Sequence, residues 1–175
     1  MKKRLIALLA VLTLLLSGCQ GLFTCRHEDI DNNGLCDDCS ASVVVTFDFY
    51  VLNDLHGKLV DSDDNVGVDE LTSYFKNARL SDENVILLSA GDMWQGGTES
   101  NTTKGQFTVD WMNAVDFTAM TLGNHEFDWG EEYIASNAEL AEFPFLAINI
   151  YDRDTNEQVD YCSSSVLISA DGMQI

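Results

Sequence analysis

Histidine, proline and positive charge are scarce in this 175-residue chain, which holds three His, one Pro and nine Lys plus Arg against 29 Asp plus Glu. A formal charge of −20 leaves no basic stripe of the kind a nucleic-acid polymer requires, so no such partner is expected. A run long enough to span a membrane is also missing. The longest apolar stretch, Leu5 to Leu16, has 12 residues where a spanning helix needs roughly 20. No internal repeat is apparent. With Pro almost absent and 46% of residues hydrophobic, most of the chain can bury a core.

The short apolar stretch has its own logic. Lys2, Lys3 and Arg4 precede it and Ser17-Gly18-Cys19 follow it, the charged, apolar and small-residue regions of a secretory signal peptide. The string Leu16-Ser17-Gly18-Cys19 resembles the bacterial lipobox, in which the Cys is acylated and becomes the new N-terminus. Residues 1–18 are therefore expected to be a lipoprotein signal peptide and Cys19 the lipidation site. The protein is expected to be exported and membrane-anchored on the extracytoplasmic side. Without the leader, 29 acids face 6 bases, a charge of −23 that favours solubility and attracts divalent cations.

Residues 19–42 show no hydrophobic periodicity and read as a tether rich in Cys, His and Asp. Cys25, His27, Cys36 and Cys39 offer three thiolates and an imidazole, a donor set suited to a structural zinc ion. The same stretch contains Asp29-x-Asp31-x-Asn33-Gly34, the front half of a calcium loop, but its twelfth position is Ser40 rather than Glu. Outside the cell a disulfide is a third outcome. Zinc, disulfide and calcium all stay open at this point.

From Val43 onward, strand and helix patterns alternate. Residues 43–52 are rich in β-branched and aromatic side chains, residues 85–89 form a short apolar run, and 117–122 and 145–150 repeat the theme. Between them, Val68, Leu71, Phe75 and Ala78 mark one helix, Phe107, Trp111, Ala114 and Val115 a second, and Ile134, Ala138 and Ala141 a third. Asp171-Gly172 reads as a hairpin turn between residues 165–169 and 173–175. Such alternation implies βαβ units and an α/β sheet, whose chemistry gathers where the strands end.

Three of those ends carry polar clusters: Asn53-Asp54-Leu55-His56-Gly57, Gly91-Asp92, and Gly123-Asn124-His125-Glu126-Phe127-Asp128. An Asp and a His two apart can turn toward one point, and carboxylate with imidazole suits Zn, Mn or Fe. A carboxylate from a neighbouring strand can bridge two ions, and an Asn oxygen can complete a second site without adding charge. Two such ions activate a water and clamp the oxygens of an in-line displacement. His125 can protonate the leaving oxygen, with Asp128 fixing its tautomer. Each motif alone has a plainer reading: Asn-Asp before Gly is ordinary turn chemistry, and Asp92 could cap a helix. Glu126, Phe127 and Trp129 read as packing and supporting residues, Trp94 and Trp111 as core, and Cys162 as a half-buried strand residue.

Together, the strings Asn-Asp-Leu-His-Gly, Ser-Ala-Gly-Asp-Met-Trp-Gln-Gly-Gly and Gly-Asn-His-Glu-Phe-Asp resemble the 5'-nucleotidase branch of the calcineurin-like metallophosphoesterases, from about residue 46 to 175. The resemblance implies the front half of a four-layer αββα sandwich over residues 43–175. It implies Asp54 and His56 on a first metal, Asp92 bridging, Asn124 on a second, and His125 with Asp128 as the catalytic pair. It also implies hydrolysis of a nucleoside 5'-monophosphate or another phosphate ester. The family takes further ligands from later His motifs, and no His follows His125 here, so the chain is expected to be a fragment with little activity alone. Alternatives are a 2',3'-cyclic nucleotide phosphodiesterase, a UDP-sugar hydrolase, or a non-catalytic surface lipoprotein.

Overall fold

The computed structural model describes residues 25, 27–63, 66–81, 84–170 and 173–175. The expected signal peptide, Cys19 and the turn pair Asp171-Gly172 lie outside the described residues. The chain divides into two compact units, residues 1–45 and 46–175. No helix among the described residues is long and apolar enough to cross a membrane.

The larger unit is organised by its central strand. The Val-Ile-Leu-Leu-Ser run has no polar face, so it belongs where a sheet is covered on both sides, and four of its five residues are buried. The strands are β1 (Asp48–Leu52), β2 (Val85–Ser89), β3 (Ala119–Thr121) and β4 (Phe145–Leu146). They form one sheet in the order β1-β2-β3-β4, every pair parallel. A parallel pair cannot be joined by a tight hairpin. The connections here are α1 (Val68–Ser81), then α2 (Thr98–Thr103) with α3 (Gln106–Ala114), then α4 (Glu131–Leu140). A small antiparallel pair, β5 (Ser169–Ala170) with β6 (Met173–Gln174), flanks the expected turn.

The two faces of the sheet differ. Register places Tyr50 beside Leu87, Ser89 beside Met120 and Met120 beside Phe145. Leu87, Met120 and Phe145 join one apolar core with Phe75 of α1, Trp111 and Met112 of α3 and Ile134 of α4. Trp111 also donates from Nε1 to Thr72 Oγ1 at 2.8 Å, fixing α3 to α1. On the other face Phe49 and Val51 of the edge strand β1 remain 56% and 59% exposed. The parallel sheet with α1, α3 and α4 packed against Leu87, Met120 and Phe145 provides the α and β layers expected for the front half of the αββα arrangement.

Several boundaries are shorter than the sequence pattern. Residues 43–47 are not strand, because β2 begins at Val85 and offers Asp48 as its first partner. The third and fourth strands shrink to three and two residues. Phe107, expected on the apolar face of α3, is 48% exposed, while Val109 and Met112 are fully buried. Trp111 and Val115 are buried as expected, so the difference is confined to Phe107, in the first turn after the left-handed Gly105, and to the exposed Ala114. Cys162 is half-buried as expected but lies outside any strand, and burial pushes its thiol up to about 11.

Leu87→Ala is expected to cost about 2–5 kcal/mol in chemical denaturation, since Leu87 is fully buried against several elements. Val51→Thr on the exposed face should change stability by under about 0.5 kcal/mol. Equal effects would contradict the assignment of the two faces.

Candidate metal centre

The loops that follow β1, β2 and β3 continue side by side after the strands end. Ala90 N donates to Leu52 O at 3.0 Å, Asp54 N to Gly91 O at 3.1 Å, His56 N to Asp92 O at 3.0 Å and Gly57 N to Met93 O at 2.8 Å. The backbone is contorted here. Asp54, His56 and Asp92 all adopt left-handed φ values of 54°, 51° and 56°. For residues other than Gly such conformations cost roughly 1–3 kcal/mol each and cluster at functional sites.

Glu126 holds the β2 and β3 ends together. It is fully buried in the short 3-10 turn His125–Phe127. Its carboxylate accepts from Asp92 N at 2.8 Å, Met93 N at 2.8 Å and Gly123 N at 2.7 Å. Burial raises its pKa above the ordinary carboxylate value, against a smaller lowering by the three N–H donors. His125 N in turn donates to Asp92 Oδ1 at 2.9 Å, aiming that carboxylate. Gly123 leaves the room this needs: a Cβ there would collide with Asp92 Oδ1 and lie 2.6 Å from Asp92 N.

These constraints bring His56, Asp92 and His125 together, with one ligand atom from each lying within 4.8 Å of the others. The two imidazoles meet edge to face with centroids 5.0 Å apart. His56 Nδ1 lies 2.8 Å from the Gln95 carbonyl oxygen, which can only accept. The proton therefore sits on Nδ1, and Nε2 presents its lone pair. His125 Nδ1 lies 2.8 Å from Asp128 Oδ2. That hydrogen bond raises the imidazole's pKa above its ordinary value, against a smaller lowering by partial burial. The His56 imidazole and the Asp92 carboxylate suit a borderline divalent ion, so these donors fit a metal, and His125, held by Asp128, stands beside them.

The remaining expected ligands stand nearby. Asp54 Oδ1 is 3.8 Å from His56 Nε2, and its other oxygen is bonded by the Asn53 amide. Asn124 is exposed at the head of the 3-10 turn, where its carbonyl accepts from Phe127 N at 3.3 Å. Neither belongs to the converged group of three. In the smaller unit Cys25, His27, Cys36 and Cys39 form a second converged group. Sequence pattern does not point to the clamp made by Glu126 or to the Gln95 carbonyl. Their only signals are one acid among several in the Gly-Asn-His-Glu-Phe-Asp cluster and a Gln in a Gly-rich loop.

The sequence matches the calcineurin-like phosphoesterase family over residues 47–171. It is 36% identical over 110 residues to a 5'-nucleotidase of Homo sapiens, covering 56% of this chain and 19% of that protein. It is 30% identical over 119 residues to a 2',3'-cyclic-nucleotide 2'-phosphodiesterase/3'-nucleotidase of Haemophilus influenzae, covering 59% of this chain and 18% of that one. The fold is similar to the crystal structure of a 5'-nucleotidase precursor from Thermus thermophilus, with a TM-score of 0.64 at 24% identity, over 73% of this chain and 27% of that one. The chain thus spans about a fifth of the length of these curated relatives.

Glu126→Gln should expose the clamp. An amide NH2 would then oppose one of the three N–H groups, costing about 1–3 kcal/mol in denaturation. Divalent-ion affinity measured by calorimetry should fall with it, because Asp92 loses its anchor. Unchanged stability and metal binding would remove Glu126 from this role.

Proposed function

We propose that this chain, which belongs to the calcineurin-like phosphoesterase family, is the metal-binding part of a 5'-nucleotidase-like hydrolase that cleaves nucleoside 5'-monophosphates outside the cytoplasm with two divalent ions. The observation that carries this reading is the convergence of His56, Asp92 and His125 at three adjacent strand ends. In the proposed arrangement Asp54 and His56 would hold one ion, Asn124 would contribute to another, and Asp92 would serve both. Divalent metal supplies Lewis-acid polarisation of the phosphoryl group and acidifies an attacking water. Such charge is needed here, because a chain of net charge −20 would otherwise repel a phosphate dianion.

The chain's own groups do the rest. Gln95 fixes the His56 ring so that Nε2 faces the site. Asp128 holds His125 Nδ1 and favours the protonated ring, which leaves Nε2 to give a proton to the leaving oxygen. The leader pattern before Cys19 supports an exported, lipid-anchored protein. A second reading, hydrolysis of a 2',3'-cyclic nucleotide, is supported by the Haemophilus influenzae relative. Both readings use the same residues and differ in the substrate they predict.

Mn2+ binding to this chain, followed by calorimetry, is expected to be lost in Asp92→Ala. In the protein carrying this segment, phosphate release from a nucleoside 5'-monophosphate should vanish with Asp92→Ala. Asp128→Asn, which removes only the support for His125, should lower it about 10–100-fold. Preferred ring opening of a 2',3'-cyclic nucleotide to the 3'-monophosphate, followed by chromatography, would favour the second reading. Binding indifferent to Asp92→Ala would sink both.

A further inference from the structure

We propose that Cys25, His27, Cys36 and Cys39 form a structural zinc site that folds the N-terminal unit, independently of the phosphoesterase centre. The four ligand atoms all lie within 4.8 Å of one another. Cys25 Sγ stands 3.1 Å from Cys36 Sγ and 3.3 Å from Cys39 Sγ, and Cys39 Sγ stands 3.6 Å from His27 Nδ1. Tetrahedral zinc, with Zn–S of about 2.3 Å and Zn–N of about 2.0–2.1 Å, separates its ligand atoms by about 3.4–3.8 Å. The cluster needs only small adjustments to accept the ion.

The competing readings fit less well. A disulfide needs two sulfurs about 2.05 Å apart, and these cysteines are free. Pairing any two would also strand the third thiol beside an imidazole with no role. Calcium wants six to eight oxygens, yet the loop's carboxylates are engaged by donors. Asp29 accepts from Asn33 N at 3.0 Å and Gly34 N at 2.8 Å. Asp31 accepts from Asn33 N and from the Asn33 amide at 3.2 and 2.9 Å. These bonds make the acidic stretch a chain reversal, tightened by left-handed residues at Asn32 and Gly34. Ile30 N on one side of it donates to Asp37 Oδ2 on the other at 2.7 Å. Cys25-x-His27 is thereby set against Cys36-x-x-Cys39.

The described residues of this unit offer little other cohesion. Only Cys36 among them is buried, while Ile30, Leu35 and Val44 are 76%, 45% and 58% exposed. A segment this small without an apolar core depends on a cross-link or a metal. Three thiolates and an imidazole make a closed structural site, with no position left for substrate.

The test measures zinc in the full chain by elemental mass spectrometry after exhaustive dialysis. The His56→Ala/Asp92→Ala variant, which disables the other metal group, should retain about one zinc per chain. Cys39→Ala should lose it, and Cys39→His, which restores a ligand at this exposed position, should regain it. Cys162→Ser should have no effect, and Co2+ in place of zinc should give the intense visible absorption of a tetrahedral thiolate site. A packing role for Cys39 would not distinguish alanine from histidine in this way. Zinc content unchanged by Cys39→Ala would overturn the proposal. So would a disulfide mapped between two of the three cysteines in zinc-free protein, or calcium retained with no zinc.

Discussion

Glu126 reaches from the turn after β3 to two consecutive N–H groups at the end of β2, and to Gly123 in its own loop. Buried carboxylates are costly unless their charge is met by donors, and here three backbone N–H groups do that from fixed positions. The effect is mechanical as much as electrostatic. With both loops tied to one side chain, the backbone of Asp92 is held still, and its carboxylate is free to take the His125 N–H. The loop after β1 then registers against the loop after β2 through its own ladder bonds. Placement of His56, Asp92 and His125 follows from this chain of contacts.

The site is built against local preference. Three residues with metal-type side chains sit in left-handed backbone conformations, where Gly would be more comfortable. Glycines are used instead for close approach. Gly91 and Gly123 bring their loops so near that a Cβ on Gly91 would collide with Gly123 N. Side chains that carry chemistry occupy the strained positions, and residues without side chains occupy the crowded ones. The strain is borne by the parallel sheet below, whose central strand is buried almost throughout.

Much of this was legible in the sequence. An apolar Val-Ile-Leu-Leu run followed by Ser-Ala-Gly-Asp names a buried parallel strand and its functional end. The Asn-Asp-Leu-His-Gly and Gly-Asn-His-Glu-Phe-Asp strings mark two more. The Cys and His spacing of the smaller unit revealed a donor set, although spacing could not choose among ligands. What pattern could not supply were contacts between distant positions. Glu126 reads as a packing residue until its carboxylate is seen beside backbone 34 positions earlier in sequence. Gln95 acts through its carbonyl, which every residue has. Phe107 satisfied helical periodicity with Trp111, yet in the first turn of α3 it is left 48% exposed, because periodicity does not say how far along a helix the core extends. Asp54 matched a ligand motif but remains outside the converged group: its carboxylate is exposed and bonded by the neighbouring Asn53 amide rather than aimed by another strand.

The parallel order of the sheet also bears on when the molecule can exist. Asp48 pairs with Val85, Ser89 with Met120 and Met120 with Phe145, so no strand of the four finds its partner nearby in the chain. Contacts of that kind form slowly, because loop closure must precede any reward. As the chain emerges from its N-terminus, β1 has nothing to pair with until α1 and β2 have followed. The central strand keeps one edge open until β3 arrives. The topology that brings His56, Asp92 and His125 together therefore also postpones their meeting: the three cannot converge until the residues after β3 have followed the rest.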